Sequence, residues 1–327
     1  MAKIRIGIVG YGNIGKGVET ALSQNPDMEL TAVFTRRPIQ NIKVKTKGVK
    51  VINVSDAKRY VGQIDVMILC GGSAMDLPEQ GPHFAQMFNT VDSFDTHAKV
   101  SEYYEAVNEK ALNSGKTCII SVGWDPGLFS IIRMLSGAIL PAGKDYTFWG
   151  KGVSQGHSDA IRRVNGVKGA VQYTVPVDSS IEMVRKGENP DLSVMDKHTR
   201  ECFVVAEEEA DKTQIEADII NMPNYFSEYN TVVHFITDEE LKKNHSKMPH
   251  GGFVFRSGTT GNMNNHIMEF AIKLESNPEF TGNILVAYAR AAYKLHGEGA
   301  KGAKTVFDVP VSYLSANNIH DLIKNLL

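Results

Sequence analysis

The sequence predicts an α/β protein that combines a doubly wound parallel sheet with a second, α+β domain. Apolar strands alternate with helical segments from Ile4 to about residue 124, the order that parallel sheets require. After residue 145 the segments are richer in β-type residues, with helical stretches between them. At 327 residues the chain exceeds the usual size of one domain. We therefore expect one domain from residues 1–124 together with about 276–327, and another from residues 125–275.

The first strand-to-helix turn carries a Gly-x-Gly-x-x-Gly motif made of Gly10, Gly12 and Gly15. The residues before it form an apolar strand, and those after it have apolar side chains at helical spacing. Gly10 permits a tight turn, Gly12 lets the backbone approach a pyrophosphate, and Gly15 lets the helix pack closely on the strand. The helix N-terminus then presents unpaired N–H groups to the phosphates. This arrangement predicts a Rossmann dinucleotide-binding domain.

The end of the second strand indicates which dinucleotide binds. Thr35, Arg36 and Arg37 follow the apolar segment 29–34, where an NAD-binding protein carries an acidic residue for the ribose 2′-hydroxyl. A hydroxyl and two guanidinium groups suit a 2′-phosphate, which a carboxylate would repel. A glycine motif alone is weak evidence, but the strand, glycines, helix and arginine pair stand in register. The sequence therefore predicts NADP(H) as the cofactor.

Polar residues follow three later strands of the predicted sheet. The strand 64–70 leads to Ser73, the strand 90–95 ends at Asp95, and the strand 117–122 is followed by Asp125. Ligands bind at the carboxyl ends of strands in open α/β sheets. Each aspartate alone is more readily explained as a helix or turn cap. Together at the cofactor end of the sheet they favour a function, such as holding a substrate ammonium group.

The second domain offers weaker signals. Trp149, like Trp124, lies beside a glycine, and either is a core residue or a rigid wall around an aliphatic ligand. The polar segment 154–159 is either a backbone nest for a carboxylate or an exposed turn. Arg200 is expected at a strand start, where a lone arginine is most often a solvated surface charge. His250 is expected in a loop, and Thr174 is uninformative by itself.

Composition excludes several classes of protein. Lys and Arg number 35 against 37 Asp and Glu, without long single-sign blocks, so neither a nucleic-acid nor a membrane partner is indicated. The three cysteines are far apart and the histidines do not cluster, so we expect no disulfide framework and no metal. A strand beginning at Ile4 leaves no room for a signal peptide, and no apolar run approaches the ~20 residues of a membrane span. We expect a cytoplasmic protein.

Nearly end to end, the sequence resembles the meso-diaminopimelate dehydrogenase family. The segments that carry the resemblance are 9–15, 35–37, Val122-Gly123-Trp124-Asp125-Pro126-Gly127, Phe148-Trp149-Gly150, Ser154-Gln155-Gly156-His157-Ser158-Asp159-Ala160, 202–206 and Met248-Pro249-His250-Gly251-Gly252. The first is generic to Rossmann folds, whereas the 122–127 and 154–160 segments are far more particular. Ile14 in place of leucine and Thr35 in place of serine keep the same chemistry.

The resemblance implies NADP-dependent, reversible oxidative deamination of meso-2,6-diaminopimelate at its D-centre. The products would be L-2-amino-6-oxopimelate, which cyclises to tetrahydrodipicolinate, ammonia and NADPH. It also implies a cytoplasmic homodimer that serves lysine and cell-wall precursor synthesis. By this resemblance Asp95 and Asp125 are catalytic residues at the D-centre, Trp149 lines the pocket, and Gln155 and Gly156 lie near the D-centre carboxylate. The residues implied at the L-centre are Thr174, Arg200, His250 and Asn277.

The implied cofactor contacts lie at the strand ends of the predicted parallel sheet or just beyond them. They are Gly10, Tyr11, Gly12, Asn13, Ile14, Thr35, Arg36, Arg37, Cys70, Gly71, Gly72, Ser73, Ser93, Phe94, Asp95, Val122, Gly123, Trp124, Asp125 and Pro126.

Two rival functions remain open. One is another NADP-dependent enzyme of similar shape, such as a homoserine dehydrogenase or a dihydrodipicolinate reductase. The other is a non-catalytic sensor of NADP(H), against which the joint presence of Asp95, Asp125, Arg200 and His250 argues.

Overall fold

A computed structural model describes residues 2–261 and 263–327 of the chain. The chain divides into two compact units. The first runs to Ile131 and resumes from Pro278 to Leu327, and the second is Ile132–Asn277. Each boundary lies a few residues beyond the position expected from the sequence. The roles expected for the two units, dinucleotide binding in one and substrate binding with dimerisation in the other, remain predictions.

The strands of the described chain are β1 (Ile4–Val9), β2 (Met28–Thr35), β3 (Lys50–Asn53), β4 (Val66–Leu69), β5 (Asn89–Asp92), β6 (Thr117–Ile119), β7 (Gly143–Trp149), β8 (Gly152–Val153), β9 (Val167–Pro176), β10 (His198–Ala206), β11 (Asn230–Phe235), β12 (His250–Thr260), β13 (Asn264–Leu274) and β14 (Gly302–Lys304). The helices are α1 (Asn13–Leu22), α2 (Leu77–Ala85), α3 (Val100–Ser114), α4 (Leu128–Ile139), α5 (Gln155–Ile161), α6 (Asp178–Arg185), α7 (Val194–Lys197), α8 (Lys212–Ile220), α9 (Asp238–Asn244), α10 (Asn277–Gly297) and α11 (Ile319–Leu326). None of the described helices is both long and apolar enough to cross a membrane.

The first unit contains a seven-stranded parallel sheet with the strand order β14-β6-β5-β4-β1-β2-β3. Because side chains alternate along a strand, each central strand supplies both faces of the sheet. Val66 and Ile68 of β4 enter one core, which α10 also lines, whereas Met67 and Leu69 enter the opposite core with residues of α2 and α3. The predicted doubly wound parallel sheet is confirmed.

Helix α10 approaches α1 very closely in this unit. A Cβ atom added to Gly17 would lie 2.5 Å from the carbonyl oxygen of Pro278, and one added to Gly282 would lie 2.5 Å from the carbonyl carbon of Gly17. Such distances are shorter than real Cβ contacts, so this crossing requires glycine on both helices. It joins the C-terminal segment to the sheet of the first unit.

The second unit contains two smaller sheets, β11-β10-β9-β8 and β13-β12-β7. Strands β10 and β11 pair in parallel, and the other pairs are antiparallel. Separate apolar clusters lie against the two sheets, one around Cys202 and Ile215 and one around Phe148 and Phe255. The predicted α+β character of this region is confirmed, although the sequence did not predict β13.

Helix ends agree with local capping chemistry. Gly115 ends α3 in the left-handed conformation, with a φ of 68°, as a C-terminal glycine does. The side chain of Asp211 accepts hydrogen bonds from the N–H groups of Thr213 and Gln214 at the start of α8. Thr237 and Glu240 form a capping box at α9.

Four local predictions were wrong. The strand expected at 90–95 ends at Asp92, and the strand expected at 117–122 ends at Ile119. The segment 154–159 is neither a nest nor an exposed turn, because its residues from Gln155 onward form α5. His250 is the first residue of β12 rather than a loop residue. The short strand ends matter for the site, because they release the residues that follow from the sheet.

Candidate active site

The glycine motif has the geometry that a bound pyrophosphate needs. Gly10 has a φ of +88°, which side-chain-bearing residues rarely adopt, and a Cβ on Gly15 would lie 2.2 Å from the carbonyl oxygen of Gly10. In contrast, a Cβ on Gly12 would meet no atom within 4 Å, so its backbone faces open space. The first turn of α1 carries no acidic residue that would repel an anion. The turn therefore fits the phosphates of a dinucleotide.

The end of β2 presents two guanidinium groups beside this turn. The Thr35 Oγ1 atom accepts a hydrogen bond of 3.0 Å from the Arg37 N–H, and the Arg37 Nη2 atom donates to the carbonyl oxygen of Tyr11. The side chain of Arg36 is 65% exposed and its Nη2 atom lies 2.5 Å from Asp76 Oδ1. The structure thus holds Arg37 at the glycine turn by a contact with the turn itself, whereas the side chain of Arg36 pairs with Asp76.

Ser73 connects the ends of β4 and β5. Its Oγ atom accepts hydrogen bonds from the N–H groups of Asp95, at 2.8 Å, and Thr96, at 3.2 Å. Two of the three polar strand ends predicted from the sequence are therefore in direct contact. The sulfur of Cys70, just before this segment, is buried, and burial raises the pKa of its thiol, so it stays protonated.

Asp125 follows β6, the strand that neighbours β5 in the sheet. It lies in a tight turn in which Trp124 pairs with Gly127. A Cβ on Gly127 would lie 2.0 Å from the carbonyl oxygen of Gly123, so the turn needs a glycine there. The indole of Trp124 is 8% exposed and meets the ring of Phe129 edge-on, with centroids 5.3 Å apart. Of the two interpretations of Trp124, its burial favours the core residue.

In the second unit Thr174 and Arg200 lie opposite each other on β9 and β10. The Arg200 Nη1 atom donates a hydrogen bond to the Thr174 hydroxyl, and the guanidinium carbon lies 3.8 Å from the centroid of the Tyr229 ring. Arg200 is only 6% exposed, and this burial lowers the pKa of its guanidinium. The expectation of a solvated surface arginine was wrong, because Arg200 lies within β10 and not at an exposed strand start.

Arg200 is a buried cation that has no carboxylate partner among the described residues. Its Nε atom is also buried and makes no hydrogen bond within the described part of the chain. A buried charge is costly unless it is paired and hydrogen-bonded. The chemistry of this position therefore fits an anionic ligand group.

Trp149 rests on a histidine that the sequence did not single out. The main-chain N–H of Trp149 donates a 2.8 Å hydrogen bond to His198 Nε2, and the two rings stack with centroids 5.2 Å apart. Burial, together with the nearby Arg200 charge, lowers the pKa of His198 to about 3, so its ring is neutral and can accept this bond. Trp149 itself is 36% exposed. The alternation of His198 and Arg200 along β10 was the signal that both enter one face.

The segment 248–250 gathers three of the predicted substrate residues. The Gln155 Nε2 atom lies 3.2 Å from Met248 Sδ, and the Asn277 N–H donates a 2.9 Å hydrogen bond to the Met248 carbonyl. A Cβ on Gly152 would lie 2.4 Å from His250 Cγ, so β8 approaches the imidazole through a glycine. Burial lowers the pKa of His250. A Cβ on Gly156 would meet no atom within 4 Å, so that backbone is open.

Together the glycine turn, the arginine pair and the polar strand ends define a Rossmann-type dehydrogenase. Residues 123–276 match the family model described as the diaminopimelic acid dehydrogenase C-terminal domain. The whole chain is 64% identical to a meso-diaminopimelate D-dehydrogenase from Ureibacillus thermosphaericus, with 100% of both chains covered. The chain belongs to the meso-diaminopimelate D-dehydrogenase family.

Solved structures agree with this assignment. The DAP dehydrogenase of C. glutamicum in complex with DAP has a TM-score of 0.93 and 44% sequence identity, with 100% of both chains covered. An engineered D-amino acid dehydrogenase bound to NADP+ has a TM-score of 0.88 and 42% identity, again with 100% of both chains covered. These similarities extend over both units of the chain.

Proposed function

We propose that the chain catalyses the NADP-dependent, reversible oxidative deamination of meso-2,6-diaminopimelate at its D-centre. The products are ammonia, NADPH and L-2-amino-6-oxopimelate, which cyclises to tetrahydrodipicolinate in lysine and cell-wall precursor biosynthesis. The 64% sequence identity to a meso-diaminopimelate D-dehydrogenase over the full length of both chains supports this reaction. Within the structure the single observation that carries it is the buried Arg200, whose guanidinium has no carboxylate partner among the described residues. A diacid substrate supplies the missing anion.

The residues of the first unit would hold NADP(H) at the carboxyl ends of the strands. The open backbone at Gly12 and the N-terminus of α1 receive the pyrophosphate, and Thr35, Arg36 and Arg37 receive the 2′-phosphate. When bound, NADP+ accepts the hydride that leaves the D-carbon of the substrate. The other proposed contacts are Gly10, Tyr11, Asn13, Ile14, Cys70, Gly71, Gly72, Ser73, Ser93, Phe94, Asp95, Val122, Gly123, Trp124, Asp125 and Pro126.

Asp95 and Asp125 would act at the reacting amine. An ammonium group must lose a proton before its carbon can release a hydride, and a neighbouring carboxylate can take that proton. Both aspartates follow strands that end early, so they can approach a ligand without sheet pairing. We assign Trp149 as a wall of the pocket and Gln155 and Gly156 to the D-centre carboxylate.

Thr174, Arg200, His250 and Asn277 would bind the distal L-centre. A bidentate guanidinium–carboxylate pair is strong and directional when it is buried. The stacked Tyr229 ring and the Thr174 hydroxyl already fix the plane and position of the Arg200 head. The site is therefore arranged before the substrate binds, which reduces the ordering cost of binding.

One assay tests the reaction and separates it from the rival functions. NADPH formation is followed by absorbance with meso-diaminopimelate, with homoserine and with no amino acid. We expect reduction of NADP+ only with meso-diaminopimelate. Turnover of homoserine alone would identify a homoserine dehydrogenase, and binding of NADPH without turnover of either compound would leave a dihydrodipicolinate reductase or a sensor.

We also propose that the enzyme is a cytoplasmic homodimer, as its resemblance to the family implies. Sedimentation equilibrium checks the oligomeric state. We expect a particle of twice the 36.0 kDa chain mass. A species of the monomer mass at all working concentrations would contradict the dimer.

A further inference from the structure

A buried carboxylate bonds both of the segments that carry Asp95 and Asp125. Asp92 is the last residue of β5, and its side chain has no solvent exposure. Its Oδ1 atom accepts hydrogen bonds from the N–H groups of Phe94, at 3.0 Å, and Ser121, at 3.1 Å. Its own carbonyl oxygen accepts a further bond of 2.8 Å from Val122. One residue therefore joins the chain after β5 to the chain after β6.

The side chain of Asp92 accepts main-chain hydrogen bonds just beyond the point where the pairing of β5 with β6 ends. The ladder between β5 and β6 consists of Thr90 with Cys118 and Val91 with Ile119. Two residues later the chain leaves the extended conformation, because Ser121 has a φ of 56°. Without the Asp92 carboxylate, the Ser121 N–H would be a buried donor that lacks this acceptor, which is unfavourable. The turn at residue 121 and its acceptor are thus mutually dependent.

Tyr103 of α3 holds this carboxylate in place. Its hydroxyl donates a 2.7 Å hydrogen bond to Asp92 Oδ2, and its ring stacks on Phe94 with centroids 4.2 Å apart. A Cβ on Gly81 of α2 would lie 2.1 Å from the Tyr103 hydroxyl oxygen, so α2 leaves room for that hydroxyl with a glycine. The groups that bond the Asp92 side chain are a hydroxyl and two amides, with no cation among the described residues. The Asp92 carboxylate therefore accepts directed hydrogen bonds and does not form an ion pair with a described residue.

We propose that Asp92 is a positioning residue for the reaction. It fixes the segments 93–95 and 121–125, and through them it places the carboxylates of Asp95 and Asp125 at the substrate amine. Ser73 supports the same placement from the β4 end, because it binds the Asp95 N–H. This inference rests on the roles proposed above for Asp95 and Asp125.

Two substitutions and a matched control test it. Asp92→Ala removes the acceptor, whereas Asp92→Asn keeps an oxygen that can accept from Phe94 and Ser121. Asp65→Ala is the control, because Asp65 also accepts a main-chain hydrogen bond, 2.8 Å from the Arg5 nitrogen, but it precedes β4 and so lies at the other end of the sheet. Each variant is measured for kcat and KM with meso-diaminopimelate and NADP+, and for its melting temperature.

We expect Asp92→Ala to lower kcat about tenfold or more, because two buried amides lose their acceptor. Asp92→Asn should restore most of kcat, and Asp65→Ala should lower the melting temperature while leaving kcat unchanged. An unchanged kcat in Asp92→Ala would overturn the proposal. A loss of kcat in Asp92→Asn as large as that in Asp92→Ala would also overturn it. So would a loss of kcat in Asp65→Ala as large as that in Asp92→Ala.

Amide hydrogen exchange, followed by mass spectrometry, gives a readout that does not depend on turnover. Exchange in peptides covering 93–95 and 121–125 should rise in Asp92→Ala and stay at the wild-type level in Asp92→Asn and Asp65→Ala. If the wild-type protein fails to oxidise meso-diaminopimelate, the proposed function fails while this measurement still tests the anchoring by Asp92. If Asp92→Ala does not fold, Tyr103→Phe replaces it, since it keeps the ring stack and removes one bond. Unchanged exchange and kcat in Tyr103→Phe would then contradict the proposal.

Discussion

At the scale of single residues, the second unit is organised by buried polar groups whose partners lie far away in the sequence. His198 supports Trp149 through a hydrogen bond and a ring stack, and it can do so because burial keeps it neutral. Arg200 lies two residues further along β10, with the Tyr229 ring over its guanidinium. A neutral histidine beside a charged arginine avoids repulsion between two buried cations. The two side chains are therefore compatible only in this protonation state.

Arg200→Met should lower activity on meso-diaminopimelate by orders of magnitude. The substrate's distal carboxylate would lose its partner in a buried site, which costs about 3 kcal/mol or more. The KM for NADP+ should not change, and the melting temperature should hold or rise because a buried charge without a carboxylate partner is removed. Steady-state kinetics and thermal unfolding check these outcomes.

The matched control for that substitution is Arg185→Met. Arg185 is in the same unit and pairs with Glu269, with a side chain that is 38% exposed. Its replacement should leave the activity intact. Near-normal turnover by Arg200→Met, or an equal loss in both variants, would remove Arg200 from the proposed site.

Replacing Arg36 and Arg37 together with alanine should raise the KM for NADP+ about tenfold or more, since each charge-assisted bond contributes about 1.5–3 kcal/mol. The KM for NAD+ should hardly change, because NAD+ has no 2′-phosphate. The single variant Arg36→Ala separates the phosphate effect from the contact between Arg37 and the Tyr11 carbonyl. Arg59→Ala, an exposed arginine paired with Asp56, is the control. Equal losses with both cofactors would contradict the phosphate assignment.

At the scale of secondary-structure elements, the site depends on where strands stop. Strands β4, β5 and β6 are four, four and three residues long. Their short lengths leave the following residues to be fixed by side chains, namely Ser73 after β4 and Asp92 at the end of β5. Functional residues of open α/β sheets lie at such ends because the backbone there is not committed to the ladder.

Asp92 should make the stability of the first unit depend on pH. Burial raises the pKa of its carboxyl from 3.8 to about 6. Between these values the native state binds more protons than the unfolded chain, so stability falls as pH rises from about 4 to 6 and is constant above that range. The difference between these two pKa values corresponds to a loss of about 3 kcal/mol in the free energy of unfolding.

The difference in melting temperature between the wild type and Asp92→Asn, followed across this range, measures that dependence. The asparagine variant cannot ionise, so it should gain stability relative to the wild type as pH rises. If this difference in melting temperature stays constant from about pH 4 to 7, Asp92 does not titrate in the native protein.

At the scale of the whole molecule, each unit carries a different chemistry. The first contains the carboxylates Asp95 and Asp125 at the ends of a parallel sheet, and the second contains the Arg200 cation on a mixed sheet. Because the proposed ligands of the two substrate ends differ in kind, the two stereocentres of the substrate are not interchangeable.

We therefore expect oxidation at the D-centre only. The meso isomer should be turned over, whereas the LL isomer should give no detectable NADPH at the same enzyme concentration. Chiral analysis of the product should show that the L-centre survives. Comparable rates with the LL isomer would contradict this division of roles.

The sequence by itself determined the features that depend on local spacing. The glycine motif, the strand before it and the Thr35–Arg37 group lie within one βαβ unit, so their residue types and intervals predict the fold and the cofactor. Burial was decided only by the tertiary structure. Arg200 could be interpreted as a surface charge until β9, β10 and Tyr229 enclosed it, and Asp92 showed no signal until Tyr103 and Ser121 reached its carboxylate. The physical reason is that desolvation and hydrogen-bond satisfaction depend on neighbours that are distant along the chain, which no local pattern records.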